Sequence, residues 1–499
     1  MMLKTEPKLR LQGLKHPRWS AMSLALTLAL VSAGCAVSPP PQQRLQQAEQ
    51  TPASWAAPLP HGGQTQGLQQ WWAQFEDPLL AQLIELAQAH SPGLQQAVAR
   101  IEQARSLATQ SGSAIWPGVN LNATTQRQQL ALPKGSPTQT LSNASLDAGW
   151  EVDLFSRVRQ QRDAAEARAQ ASQLEWHAAR VSLAAEVAQS YINLRACEQL
   201  LQISQEDAQA MRKLGRWSAD KLKVGLEAAG PDALLQASAA ESESRVLAQQ
   251  AECDVQIKGL VALSGVAEAD LRVRLAARQA QLPKTQGLQV QSLPAQTLAQ
   301  RPDLAAQQRQ VLAAWAERGA AEAARYPQLQ LGGSISLSAL QLSGGPRAEG
   351  SGWSFGPSLS LPLFDAGARR AQADAAQARF DEALAGYRGA VLQAVREVEE
   401  GLVRLDSAAQ REQFAEASAA GYRKAALATA ASWRAGLSSA AELEQAHRLT
   451  LNAQSALVQV QAARLAAWVT LYKASGGGWQ PESSAGPAAT AAAAGTSLR

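Results

Sequence analysis

Aromatic residues are scarce in this 499-residue chain: 5 % against an apolar total of 46 %. Large aromatic side chains usually dominate globular cores. Abundant alanine instead suits helices packed closely through small side chains. Histidine is also scarce. The five are His16, His61, His90, His177 and His447, and no pair has metal-ligand spacing. There is no P-loop, dinucleotide fingerprint or nucleophile elbow. Acid pairs such as Glu399-Glu400 read as solvated helix surface. An enzyme is therefore not expected, nor is any cofactor or metal. The net charge of +4 resides in the first 34 residues, where Lys4, Lys8, Arg10, Lys15 and Arg18 oppose Glu6. The remainder is neutral, so a basic nucleic-acid footprint is absent and no nucleic-acid partner is expected. No run of 18 apolar residues exists, which excludes a transmembrane helix. Membrane association would need a tether or a β-barrel.

The basic start is followed by an apolar run from Ala21 to Val31 and then Ser32-Ala33-Gly34-Cys35. Residues 1–34 read as a secretory signal. Small residues before cysteine resemble a bacterial lipobox, making Cys35 the acylated first residue. Ser32 stands where leucine is usual. The alternative is an ordinary signal peptide with an incidental cysteine. Residues 35–70 are rich in Pro, Gln and Ala, and read as an extended segment.

Proline is missing between Phe155 and Gly230, and apolar residues return at helical spacing in Ala184, Val187, Tyr191, Leu194 and Leu201. The stretch from Leu154 to about Ala262 is thus a very long helix, a turn around Gly225 and a returning helix. Asp232 is expected to help cap the second. About 70 helical residues span roughly 100 Å, far more than a globular core needs. Upstream, Asp77-Pro78 starts one short helix and Ser91-Pro92 another. Between Pro117 and Leu154 the pattern alternates: Val119, Leu121, Ala123 and Thr125, then a Pro/Gly loop, then Leu146, Ala148, Trp150 and Val152. This is a β-hairpin, locally as compatible with a soluble sheet as with a membrane barrel.

The whole arrangement then recurs. Ser91-Pro92 returns as Arg301-Pro302 and Trp116-Pro117 as Tyr326-Pro327, both 210 residues on. Leu154-Phe155 returns as Leu363-Phe364 and Gly225-Leu226 as Gly436-Leu437, at offsets of 209 and 211. A second hairpin lies between, with Leu329, Leu331, Ile335 and Leu337, a loop from Gly344 to Gly352, and Trp353, Phe355, Leu359 and Leu361. The chain is a tandem duplication: helix, β-hairpin, long helix, turn, returning helix. Residues 71–281 form the first repeat (β-hairpin about 118–153, helical hairpin about 154–264). Residues 282–480 form the second (about 328–362 and 363–475), and 481–499 read as a disordered tail. Four strands cannot close a barrel alone, and lipid forbids open edges. Either the strands are soluble or several chains pool them.

These motifs also carry a resemblance. Trp71-Trp72 with Phe75, Asp77-Pro78 and Leu79 is similar to the opening of the TolC/OprM family of outer-membrane efflux channels. Ala99 to Arg105 fits its first helix. Trp150-Glu151-Val152-Asp153-Leu154-Phe155-Ser156-Arg157 resembles the exit of its first hairpin, with Ser156 in place of a usual glycine. Arg301-Pro302-Asp303-Leu304, Leu361-Pro362-Leu363-Phe364-Asp365-Ala366-Gly367 and Leu471 to Trp479 match its second-repeat and C-terminal signatures. The chain is identified as a member of this family, in its lipoprotein (NodT-like) branch.

The resemblance implies a mainly α protein with membrane β. A homotrimer would close a 12-stranded β-barrel in the outer membrane. That barrel would continue into a periplasmic α-helical barrel with an equatorial α/β belt. Implied partners are outer-membrane lipid, a periplasmic adaptor and an inner-membrane pump, expected to be of the RND type. The implied function is passive export of small molecules through a tripartite efflux system. Alternatives are the outer-membrane channel of type I secretion and a periplasmic coiled-coil scaffold or adaptor. The resemblance places adaptor-docking tips at Val224-Gly225-Leu226 and Gly436-Leu437-Ser438, and a periplasmic gate at Glu442 and Gln445. From Gly225 to Ala237 is twelve residues, against ten from Gly436 to Ala446, so the first tip is expected to depart from the second. Cys197 and Cys253 are centred on the turn at position 225, hence at one height in an antiparallel pair. In an oxidising compartment they are expected to form a disulfide; side chains facing apart would leave two buried thiols.

Overall fold

The computed structural model describes residues 41–49, 55–57, 68–129, 138–284, 298 and 300–479. The expected lipidation site Cys35 and the tail 481–499 lie outside them. Two compact units are separable by their internal packing, and each contains parts of both repeats.

The first unit comprises the described residues within 114–161 and 318–373. Its centre is one antiparallel sheet in the order β1 (Gly118–Gln129), β2 (Thr138–Val152), β3 (Gln328–Leu342) and β4 (Arg347–Ser360). Each repeat supplies one hairpin, and the repeats join where β2 pairs β3, as in Leu146↔Ile335 and Trp150↔Leu331. Alternation along each strand gives the sheet two unlike faces. Leu121 lies opposite Leu146, Leu146 opposite Ile335, and Ile335 opposite Trp353. The other face carries Asn122, Ser145, Ser336, Asn143 and Ser338 in adjoining register. Asn122 Nδ2 donates to Asp147 at 2.8 Å, as does Ser145 Oγ, and Ser338 Oγ bonds Asn143 at 2.8 Å. Leu121, Ile335, Leu337, Trp353 and Phe355 are each more than 60 % exposed. The glycine-rich loop is shorter than expected, because Gly350 and Gly352 fall inside β4 and pair with Ser338 and Ser336.

Both hairpins leave the sheet through the same device. Asp153 accepts from the backbone N–H of Val158 and Arg159, each at 3.0 Å, and caps the next helix. Asp365 accepts from Gly367 and Arg369 at 2.9 and 3.1 Å. Ser156 has φ +62° and Gly367 +85°, so the family's usual glycine is explained by a left-handed backbone that serine tolerates only with strain. The long helices therefore begin after this turn rather than at Leu154 or Leu363.

The second unit comprises the described residues within 42–113, 162–317 and 374–479. The helices are α1 (Gln42–Ala48), α2 (Pro78–His90), α3 (Pro92–Ser113), α4 (Arg157–Lys223), α5 (Ala229–Ser264), α6 (Glu268–Ala276), α7 (Pro302–Ala323), α8 (Ala368–Arg434) and α9 (Ala440–Ala474). Both long helices, α4 and α8, have 67 residues, and the returning α5 and α9 have 36 and 35. At 1.5 Å per residue each long helix extends about 100 Å. Helix α1 corrects the extended reading of residues 35–70: past its prolines, the run Gln42–Ala48 is made of helix formers and buries Leu45 and Ala48.

The core lies midway along the long helices. Trp71, Phe75, Leu80 and Leu83 pack with Tyr191, Ile192 and Leu194 of α4, Val398 and Leu402 of α8, and Trp468 and Leu471 of α9. Asp77 caps α2 by accepting from Leu79 and Leu80 N–H at 3.1 and 3.4 Å, and Tyr191 Oη donates to its other oxygen at 2.8 Å. Burial pushes the Tyr191 phenol up, with Arg195 opposing and Asp77 assisting. Arg195 is fully buried, bonding Glu198 at 2.8 Å and the Leu275 carbonyl at 3.0 Å. Arg301 clamps Asp303, Glu397 and the Ala474 carbonyl at 2.7, 2.8 and 3.2 Å. Burial alone would raise Asp303, but the Arg301 bonds outweigh it and hold the carboxyl low. Gly476 has φ +83°, and a Cβ there would meet the Gln300 carbonyl at 2.6 Å.

Candidate functional site

The tips of the two helical hairpins are built alike. Helix α4 ends at Lys223 and α5 begins at Ala229; α8 ends at Arg434 and α9 begins at Ala440. The loops 224–228 and 435–439 are equally long, so the offset expected between the tips does not lie in the turns. In the first, Gly225 N–H donates to the Leu222 carbonyl at 3.1 Å and Leu226 N–H to Lys221 at 2.8 Å. In the second, Gly436 donates to Trp433 at 3.0 Å and Leu437 to Ser432 at 2.8 Å. This pattern closes a helix C-terminus around a left-handed residue, and φ is +74° at Gly225 and +78° at Gly436. The turns leave Val224, Leu226 and Leu437 at 68, 72 and 82 % exposure. Such apolar knobs on otherwise polar helix ends have no role in the chain's own packing.

The returning helices start differently. Ala228 occupies the cap of α5 and makes no side-chain bond there, while Asp232 sits inside the first turn. This corrects the expected capping by Asp232. Proline is tolerated in a first helical turn, where its missing N–H would lack a partner anyway, so the helix starts ahead of Pro231. Helix α9 carries a full capping box: Glu442 N–H donates to Ser439 Oγ at 3.2 Å, and Ser439 N–H to Glu442 Oε2 at 2.7 Å. Ser438 Oγ reaches back to the Thr429 carbonyl at 3.3 Å. Glu442 and Gln445 are both exposed in the single chain. The structure thus gives Glu442 a local task besides any role in a periplasmic gate.

Behind the tips the two hairpins touch. Glu444 is 5 % exposed, accepts from Ser238 Oγ at 2.5 Å and pairs with Arg448 at 2.9 Å. Trp217 and Trp433 meet edge to face at 4.6 Å, with Lys221 Nζ 3.8 Å above the Trp217 ring. A groove of about 460 Å³ runs between them, lined also by Leu235, Arg434 and Ser439. Burial pushes His447 below its ordinary value, with Asp207 opposing. Sequence reasoning missed these contacts. The spacing of Glu444 and Arg448, four residues apart on one helix, was visible; Ser238 on the other hairpin had no local signal.

Further along the first hairpin, Cys197 and Cys253 are joined, with Cα atoms 5.6 Å apart. At the corresponding height of the second hairpin, Arg464 pairs with Glu412 at 2.7 Å. Among the described residues no cluster of His, Cys, Asp or Glu is arranged to hold a metal. No described helix is long and apolar enough to cross a membrane.

Comparison with known proteins agrees with this architecture. A family model described as outer membrane efflux protein matches residues 83–266 and 293–477, two stretches that start 210 residues apart. The pyoverdine export outer membrane protein OpmQ of Pseudomonas putida is 30 % identical over 92 % of this chain and 97 % of its own length. Outer membrane protein OprJ of Pseudomonas aeruginosa is 29 % identical over 91 and 95 %. The outer-membrane channel OprN superposes with a TM-score of 0.76 at 28 % identity, covering 87 % of this chain and 98 % of its own. The open-state MtrE channel of Neisseria gonorrhoeae gives 0.71 at 25 %, covering 86 and 97 %. The duplicated hairpins, the two-faced sheet and these matches together establish that the chain belongs to the outer membrane efflux protein family.

Proposed function

We propose that three copies of this chain close a 12-stranded barrel in the outer membrane and form the passive exit duct of a tripartite efflux system. The four-stranded sheet carries this reading. Its strands of 12 to 15 residues are long enough to cross a bilayer when tilted. One face is apolar and exposed, as lipid requires; the other is polar, as a water-filled lumen requires. Strands β1 and β4 are the edges, and lipid tolerates no open edge. Membership of the family excludes the scaffold and adaptor alternatives.

Docking belongs to the tips. Val224, Leu226 and Leu437 offer knobs that the helical hairpins of a periplasmic adaptor fit. An energised inner-membrane pump supplies the work, since the duct has no chemistry of its own. Glu442 and Gln445 stand where a periplasmic constriction forms, and three copies of Glu442 make an acidic ring that favours cations. Cys35 carries the lipid anchor. The experiment is outer-membrane fractionation combined with unboiled and boiled electrophoresis. The protein is expected in the outer-membrane fraction as a trimer that heat dissociates; a soluble periplasmic monomer overturns the reading.

A further inference from the structure

Two aromatic pairs that the duplication makes equivalent have different surroundings. Phe155 stacks on Tyr326, with ring centroids 4.9 Å apart and planes 16° apart. Phe155 follows β2 of the first repeat, and Tyr326 precedes β3 of the second. Their stack therefore continues the β2–β3 seam where the repeats meet. The duplication maps Phe155 onto Phe364 and Tyr326 onto Trp116. Phe364 is 91 % exposed and Trp116 75 %, against 46 % for Tyr326. Phe364 follows β4 and Trp116 precedes β1, the two edge strands of the sheet.

The operation that carries the first repeat onto the second, applied again, carries the second onto the first repeat of another copy. It turns the β2–β3 seam into a β4–β1 seam between copies. We infer that Phe364 stacks on Trp116 of a neighbouring copy of this chain, so that each seam between copies repeats the Phe155–Tyr326 stack. This rests on the homotrimer reading.

The sheet supplies an independent check. Within the chain, apolar residues face apolar ones across the seam, as in Trp150↔Leu331 and Leu146↔Ile335. Setting Phe364 over Trp116 and continuing the antiparallel register places Leu359 of β4 opposite Leu121 of β1. Both belong to the apolar face, at 67 and 75 % exposure. A slip of one residue would turn one strand's apolar set to the polar side. The stack and the strand pattern thus agree on which face of β4 continues into β1.

Trp116→Cys combined with Phe364→Cys tests the inference in full-length protein in outer-membrane vesicles, using a short bis-maleimide. The native Cys197–Cys253 pair stays oxidised throughout. Covalent dimer and trimer bands are expected from the double variant and not from either single variant. They are also not expected from Trp116→Cys with Phe155→Cys, because Phe155 belongs to the internal seam. A second measurement covers impaired assembly of the cysteine variants. Trp116→Ala and Phe364→Ala should each lower the temperature at which the trimer dissociates, and the double variant should lower it less than the two losses added. Heat-dissociable trimers without cross-links, or with additive losses, overturn the stack and leave the trimer standing. Absence of trimers in the parent protein overturns both.

Discussion

Asp77 performs three tasks with one carboxylate. It caps α2, accepts from the Tyr191 hydroxyl, and lies 3.3 Å from Arg278. Tyr191→Phe leaves the cap intact and should cost about 1 kcal/mol. Asp77→Ala removes the cap and leaves the buried hydroxyl unpaired, so about 2 kcal/mol is expected; urea unfolding of the extracted protein checks the order. His447 gives a pH dependence of known sign. Its folded value is lowered from 6.5 by burial. The unfolded state therefore binds the proton more readily, and the stability tied to neutral His447 is lost as pH falls below that value. The protection of amides around Thr450, taken relative to the intrinsic exchange rate at each pH, should fall between pH 7.5 and 5.5, and His447→Gln should flatten the change. Glu442→Gln is a clean variant because glutamine also completes a capping box. It should keep α9 intact while reducing cation selectivity; unchanged selectivity would remove Glu442 from the gate.

At the scale of elements, the disulfide distinguishes the hairpins. It closes a separation of 56 residues, for which the chain-entropy account gives about 4 kcal/mol. The second hairpin has Glu412 and Arg464 instead, a part-exposed pair worth on the order of 1 kcal/mol or less. Reduction should sensitise residues 197–253 to protease well before the second hairpin. Equal sensitisation of both would show that the bond does not hold the first. The elements themselves were largely legible. Proline-free stretches marked α4 and α8, alternation marked the strands, and glycines marked the tips. Cys197 and Cys253 could be paired because both lie equally far from Gly225. What stayed hidden depends on rotation about helix axes or on contacts between repeats. Ser238 meets Glu444 across 206 positions, and Phe155 meets Tyr326 across the seam. Asp232 misled because a proline ahead of it looked like a boundary, whereas the helix accommodates that proline in its first turn.

At the scale of the molecule, the duplication explains both the shape of each repeat and the incompleteness of the chain. One copy gives a sheet with one apolar and one polar face, bounded by β1 and β4, and two helical hairpins with exposed apolar tips. Each of these surfaces is suited to something outside the chain: lipid, another copy, or a docking helix. The landmarks spaced about 210 residues apart made this organisation readable in the sequence. The apolar alternation that sets Leu121, Ile335 and Trp353 on one face of the sheet was readable too. If copies of this chain together enclose a water-filled passage, their assembly conducts ions. Planar-bilayer recording of the purified, unboiled protein tests it most directly. Stepwise pore conductance that vanishes when the trimer is heat-dissociated is the predicted result. A stable trimer that inserts and yields no conductance at any applied potential, with the adaptor present or absent, would contradict it.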